Sequence, residues 1–194
     1  MGIPRKPFLI TAFPRSGTKH TAVTLQMAGF EVGHECLADE GCVSWYPPAA
    51  TIFASYRCVI HQTRHPLATI SSATTMGRGN LLNMFRILEK EPKSTDFMYQ
   101  LMWAYVQWNK RIMAATSIRF PVEGLPILWP SLMRSLGLPP ETVRPEVSMR
   151  MNSRIHPEYT WDDLEAVDRK LTSQIRVLFN AFGYDRELPE YGHE

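Results

Sequence analysis

Three groups of residues in this chain have the types and spacing to do chemistry on an anionic substrate. The first is Pro14-Arg15-Ser16-Gly17-Thr18-Lys19, which places two cations, two hydroxyls and a glycine between an apolar run and a helical pattern. A turn needs neither Arg nor Lys, whereas a site for an oxyanion uses both. Gly17 lets the backbone approach such a group closely. The second is Arg64, a cation at the end of an apolar run, with the hydroxyls of Ser71 and Ser72 following in "TRHPLATISS". The third is His34-Glu35 in "FEVGHE", two neighbours that can each accept a proton.

The elements around these residues decide where they stand. "PFLITAF" (7–13) is a short apolar run that ends in a turn signal, the pattern of a buried strand. A helix is expected over 18–28, stopped by Gly29, and "FEVGHE" is expected to supply a second short strand. "RCVIHQTR" (57–64) reads as another buried strand, and Pro66 suits the first turn of a following helix. "DEGCVSWYPP" (39–48) reads as an aromatic loop with Trp45 and Tyr46.

Further along, 97–116 forms a helix with Leu101, Tyr105, Trp108 and Ile112 on one stripe. "SIRFPVEGLP" is expected as a further strand, and Pro121 argues for an edge or irregular one. The tail is expected to form one long helix capped by Thr160, with two acids in its first turn and Gly183 at its end. Its apolar face would be Leu164, Val167, Leu171, Ile175, Leu178 and Phe182. Strands that alternate with helices make this an α/β chain, a single domain over 1–194 with a mainly parallel central sheet flanked by helices. A phosphate-type loop at a strand–helix junction then has a physical basis. The first amides of a helix lack internal partners, and the helix dipole adds positive potential there.

Composition narrows the function classes. With 194 residues, 44% hydrophobic and 21% charged, the chain has the make-up of a soluble globular protein. A net charge of +2 gives no reason to expect a nucleic-acid polymer as partner. The N-terminal "MGIPRKP" is short and polar for a signal peptide, no run is long and apolar enough for a membrane span, and a cytoplasmic protein is expected. Cys36, Cys42 and Cys58 form no CxxC pair and are expected as reduced thiols. The spacing around His34, Glu35 and Cys36 lacks the pattern of a zinc site, so no metal is expected. The nucleotide-triphosphate loop needs GxxxxGK[ST]. Here Gly17 is followed by Thr18, and the strand at 57–64 ends in Gln-Thr-Arg with no magnesium-binding Asp. Both absences count against an ATP-dependent kinase.

"FPRSGTKHT" resembles the 5′-phosphosulfate-binding loop of sulfotransferases that use 3′-phosphoadenosine-5′-phosphosulfate (PAPS). In cytosolic members that loop commonly reads PKSGTTW, and in tyrosylprotein sulfotransferases PRSGTT. The family's second signature, a strand-end Arg with a Ser eight positions on, is similar to Arg64 and Ser72. The resemblance implies a P-loop NTPase-like sulfotransferase fold and transfer of a sulfonate group from PAPS to a hydroxyl or amine, leaving 3′,5′-ADP (PAP).

On the matched positions, it implies that Arg15 acts in catalysis and that Arg15, Ser16, Gly17, Thr18 and Lys19 hold the 5′-phosphosulfate. Arg64 and Ser72 would hold the 3′-phosphate, and no metal is required. Glu35 lies twenty residues beyond Arg15 and two beyond Gly33, similar to the catalytic Glu of tyrosylprotein sulfotransferases. His34 competes for the role of base. Arg150 and Arg154 lie where many members have a C-terminal basic segment that reaches the 3′-phosphate. The acceptor, a small-molecule, carbohydrate or other hydroxyl compound, leaves no mark on these motifs, and neither does the oligomeric state. A kinase-like phosphotransferase using ATP and magnesium, and a catalytically silent nucleotide-binding protein of the same fold, are the alternatives.

Overall fold

The computed structural model describes residues 7–45, 55–148 and 154–185. Tyr46 and Arg150 therefore lie outside the described residues. The chain groups into two compact units, Met1–Arg64 with Ile112–Ser153 and His65–Arg111 with Arg154–Glu194.

The first unit is built on a sheet of five strands: β1 (Phe8–Thr11), β2 (Val32–His34), β3 (Gly41–Ser44), β4 (Cys58–Thr63) and β5 (Arg119–Pro121). All are parallel, in the order β2-β3-β1-β4-β5. Every residue of β1 is buried, which explains why its sequence is a continuous apolar run rather than an alternating one. Helix α1 (Thr18–Met27) follows β1. A 3₁₀ turn, Val122–Gly124, follows β5 at the sheet's edge, where Pro121 needs no ladder partner on its outer side.

One face of the sheet presents Phe8, Ile10, Val32, Val43, Ile60 and Phe120 to a shared core. Ala22 and Leu25 enter that core from α1, and Leu125, Trp129, Leu132, Met133 and Leu136 enter it from a later helix (Leu125–Leu136). Trp129 is buried yet satisfied, since its indole N–H donates to Thr142 O at 2.8 Å.

The second unit is helical: α2 (Pro66–Ala73), α3 (Arg78–Leu88), most of α4 (Phe97–Ala115), then α6 (Trp161–Val167) and α7 (Arg169–Ala181). The helix at Leu125–Leu136 is α5 in this count. Pro66 opens α2 as expected, and the α4 stripe Leu101, Tyr105, Trp108 and Ile112 is buried. Trp161 meets Phe179 edge-on at 5.6 Å, and the Arg176 guanidinium lies 4.5 Å over the Trp161 ring while pairing with Glu165.

Two expectations need correction. Residues 41–44, read as part of an aromatic loop, form β3; four residues opening on Gly show no period long enough to mark a strand. The tail is two helices rather than one. Thr160 caps the first through a reciprocal box with Asp163. Asp168 then leaves helical geometry at φ −162° and caps the second by accepting from Leu171 N at 2.7 Å. The apolar face survives the break at Leu164, Leu171, Ile175, Leu178 and Phe182, while Val167, next to it, is exposed.

Candidate active site

The strand order places a crevice at a defined point. From β1 the chain moves through α1 to the β2–β3 side of the sheet, and from β4 it moves to β5 on the other side. Connections that leave in opposite directions open a crevice at the carboxyl ends of the two strands, where α/β proteins bind ligands. Those ends carry the loop 12–17 after β1 and Arg64 after β4.

The loop is held in an unusual conformation. Arg15 has φ 69° and Gly17 has φ 82°. The left-handed region costs a non-glycine residue about 1–2 kcal/mol, and outliers of this kind gather at functional sites. At Gly17 a Cβ would stand 3.1 Å from Val122 Cγ2, a tight contact, but it is the backbone at φ 82° that calls for glycine. Ser16 N–H donates to Phe13 O at 3.2 Å, closing the turn.

Two side chains from the end of β4 fasten it. Gln62 Nε2 donates to Ser16 O at 2.6 Å, and Arg64 Nη1 donates to Arg15 O at 2.9 Å. Arg64 thereby sits against the loop, and among the described residues no carboxylate pairs with it. In the sequence Gln62 stands out only as a polar side chain near the end of a buried strand, where a magnesium-binding acid is missing; the positioning bond to Ser16 O is visible only in the fold.

Helix α1 starts directly from Gly17, with no side-chain cap and no acid in its first turn. Ordinary helices favour acids or capping oxygens there. Here Thr18 and Lys19 occupy the position, Thr18 buried and Lys19 exposed, and an external anion would complement it.

His34 ends β2 and Glu35 follows at φ 60°. His34 Nε2 lies 3.3 Å from Thr18 Oγ1, in hydrogen-bond contact, and 3.8 Å from Glu35 Oε1. Burial pushes the imidazole below its ordinary value; the Glu35 carboxylate opposes that and Lys19 adds to it. The ring is therefore neutral at pH 7 and able to accept a proton. The Glu35 side chain is 47% exposed against 28% for His34.

Arg15, Ser16, Gly17, Thr18, Lys19, His34, Glu35 and Arg64 thus all belong to the first unit, at the carboxyl ends of β1, β2 and β4 and in the first turn of α1. Ser72 and Arg154 belong to the second. Ser72 is buried on α2, and its carbonyl accepts from Thr75 Oγ1 at 2.8 Å. Its neighbour Ser71 has a structural bond, accepting from Tyr159 N at 3.0 Å. Arg154 is exposed. Among the described residues no three His, Cys, Asp or Glu side chains come together as a metal site, and no helix is long and apolar enough to cross a membrane.

No family model matches the chain, and no curated protein matches it in sequence. Among solved structures it is similar to the mouse sulfotransferase SULT7A1 complexed with PAP, at 11% identity and a TM-score of 0.40. The match covers 88% of this chain and 64% of that one.

Proposed function

We propose that this chain is a PAPS-dependent sulfotransferase that transfers a sulfonate group to a hydroxyl-bearing acceptor, a small molecule or a carbohydrate. The observation that carries the proposal is the Arg64–Arg15 contact. The two arginines that the sequence motifs single out meet at the switch point of a parallel sheet. An ATP-dependent kinase would want an acid at the end of β4, where this chain has Gln62, Thr63 and Arg64.

In this proposal the amides at the start of α1, with Ser16 and Thr18, hold the 5′-phosphosulfate oxygens. Arg64 and Ser72 hold the 3′-phosphate, the Arg fork suiting a phosphate better than a Lys would. The acceptor oxygen attacks sulfur in line, the bond from sulfur to the bridging oxygen breaks, and PAP leaves. Arg15 stabilises the charge that grows on the bridging oxygen, and Lys19 adds a contact to the 5′-phosphosulfate. Glu35 takes the acceptor's proton. His34 is the second reading for that role, favoured by its neutral ring and its bond to Thr18.

The test is release of PAP from PAPS in the presence of a panel of phenolic, sugar and aliphatic hydroxyl acceptors. Glu35→Gln should lower turnover by about a hundredfold or more and leave PAP affinity nearly unchanged. If His34→Gln has that effect and Glu35→Gln does not, the base is His34. If the unmodified chain binds PAP yet transfers to no acceptor, the silent nucleotide-binding protein replaces the enzyme.

A further inference from the structure

The turn that carries Glu35 also carries a cysteine, and the sheet places a second cysteine beside it. Glu35, at φ 60°, reverses the chain after β2, and its N–H donates to Val43 O at 3.0 Å. The reversal lays Cys36 back over Gly33. A Cβ on Gly33 would stand 2.0 Å from Cys36 O and 2.9 Å from Cys36 Sγ, so only glycine fits. In the parallel register Gly33 is paired with Cys42 of β3, and paired residues point to the same face of a sheet. Cys36 Sγ therefore hangs over the face into which Cys42 points, roughly one strand spacing, about 5 Å, from it.

The two thiols differ in exposure. Cys36 is exposed and Cys42 is buried, and both are free. Burial first, then the neighbouring Cys36 and Glu35, push the Cys42 thiol up to about 11, so Cys42 stays protonated while Cys36 meets solvent. Cys58 is no rival partner. It sits on β4, with β1 between it and β3, in register with Phe8 and Gly41 on the opposite face.

We propose that Cys36 and Cys42 are a redox-reactive pair, which hydrogen peroxide converts to a disulfide that clips the Glu35 turn onto β3. The Cys36 thiolate attacks the peroxide oxygen, giving Cys36 sulfenic acid and, once the released hydroxide is protonated, water. The Cys42 sulfur then attacks the Cys36 sulfur; its proton and the departing hydroxyl leave as a second water. Two thiols and one peroxide give one disulfide and two waters, each sulfur losing one electron. The bond fixes the backbone of Glu35 whatever reaction that residue serves, and its formation does not depend on the chain being a sulfotransferase.

The experiment treats the reduced full-length chain with hydrogen peroxide, alkylates remaining thiols under denaturing conditions, and reads trypsin fragments by mass. Both cysteines fall in one fragment, 20–57, since no Lys or Arg lies between Lys19 and Arg57. That fragment should appear two hydrogens lighter and unalkylated, with Cys58 alkylated in its own fragment. Cleavage at Asp39 or Glu40 should leave its halves joined until they are reduced. Cys36→Ser, a change at an exposed position, should abolish the product, and Cys58→Ser should not. The proposal is overturned if Cys36 stops at sulfenic or sulfinic acid with Cys42 alkylated. It is equally overturned if peroxide leaves both thiols alkylated, or if the disulfide involves Cys58 or a second chain.

Discussion

Arg15 shows how much of this site resides in single residues. It holds a left-handed backbone at φ 69° while its carbonyl accepts from Arg64, so the loop keeps a strained cation at its tip. Replacing Arg15 by Gly separates the two contributions. The variant should be as stable as the parent, or more stable by up to about 1 kcal/mol, because the left-handed cost disappears. On the proposed function its sulfonate transfer should fall at least about a hundredfold, because that reading has Arg15 stabilise the leaving oxygen. Denaturant titration and turnover, measured on one preparation, check both halves. The sequence singled out Arg15, Gly17, Thr18, Glu35 and Arg64, and the structure sets Arg64 against the carbonyl of Arg15. The positioning role of Gln62 was not legible, because its work is a hydrogen bond to Ser16 O, forty-six residues away, and a partner so distant leaves no local pattern.

At the scale of elements, the strand–loop–helix unit β1–α1 depends on Gly17. Gly17→Ala would force an L side chain to φ 82° with its Cβ 3.1 Å from Val122. It should cost about 1–2 kcal/mol of stability and lower transfer by misplacing the first amides of α1; thermal unfolding of the variant measures the first effect.

Helix α1 also carries a pH dependence. Burial lowers the pKa of His20 against the opposing bond from its Nε2–H to Val147 O, with Arg144 adding to the lowering; His34 is lowered as well. Both fall below the value of 6.5 that an unfolded His has. Above pH 6.5 both states are neutral and the full stability is present. As the pH falls through 6.5 the unfolded chain binds protons that the folded chain refuses. Stability therefore declines until the lowered folded values are passed. Unfolding followed from about pH 8 to about pH 5 should show this loss, and His20→Gln should flatten it; an unchanged slope in His20→Gln would remove His20 from the cause.

Element boundaries were legible where one signal acted alone, as with Pro66 opening α2 and Thr160 capping α6. They were illegible where two signals overlapped. The Asp168 cap lies inside an unbroken apolar face, so the periodicity continues straight through the point where the helix stops.

The whole molecule adds what no single element holds, the order β2-β3-β1-β4-β5. Alternating strands and helices foretold a parallel sheet, but the order follows from which edges meet. The short β3, inserted between β2 and β1, was the strand the sequence hid. That order makes β1 and β4 neighbours and so brings Arg64 onto the loop of Arg15, forty-nine residues away in the chain. The most direct measurement is thermal unfolding with 3′,5′-ADP beside ADP and ATP, each with and without magnesium. At about a hundred times its dissociation constant, 3′,5′-ADP should stabilise the chain by about 2.7 kcal/mol. ADP should do far less at equal concentration, and Arg64→Ala should remove the effect. Stabilisation by ATP with magnesium and none by 3′,5′-ADP would contradict the sulfotransferase assignment and make the crevice a triphosphate site.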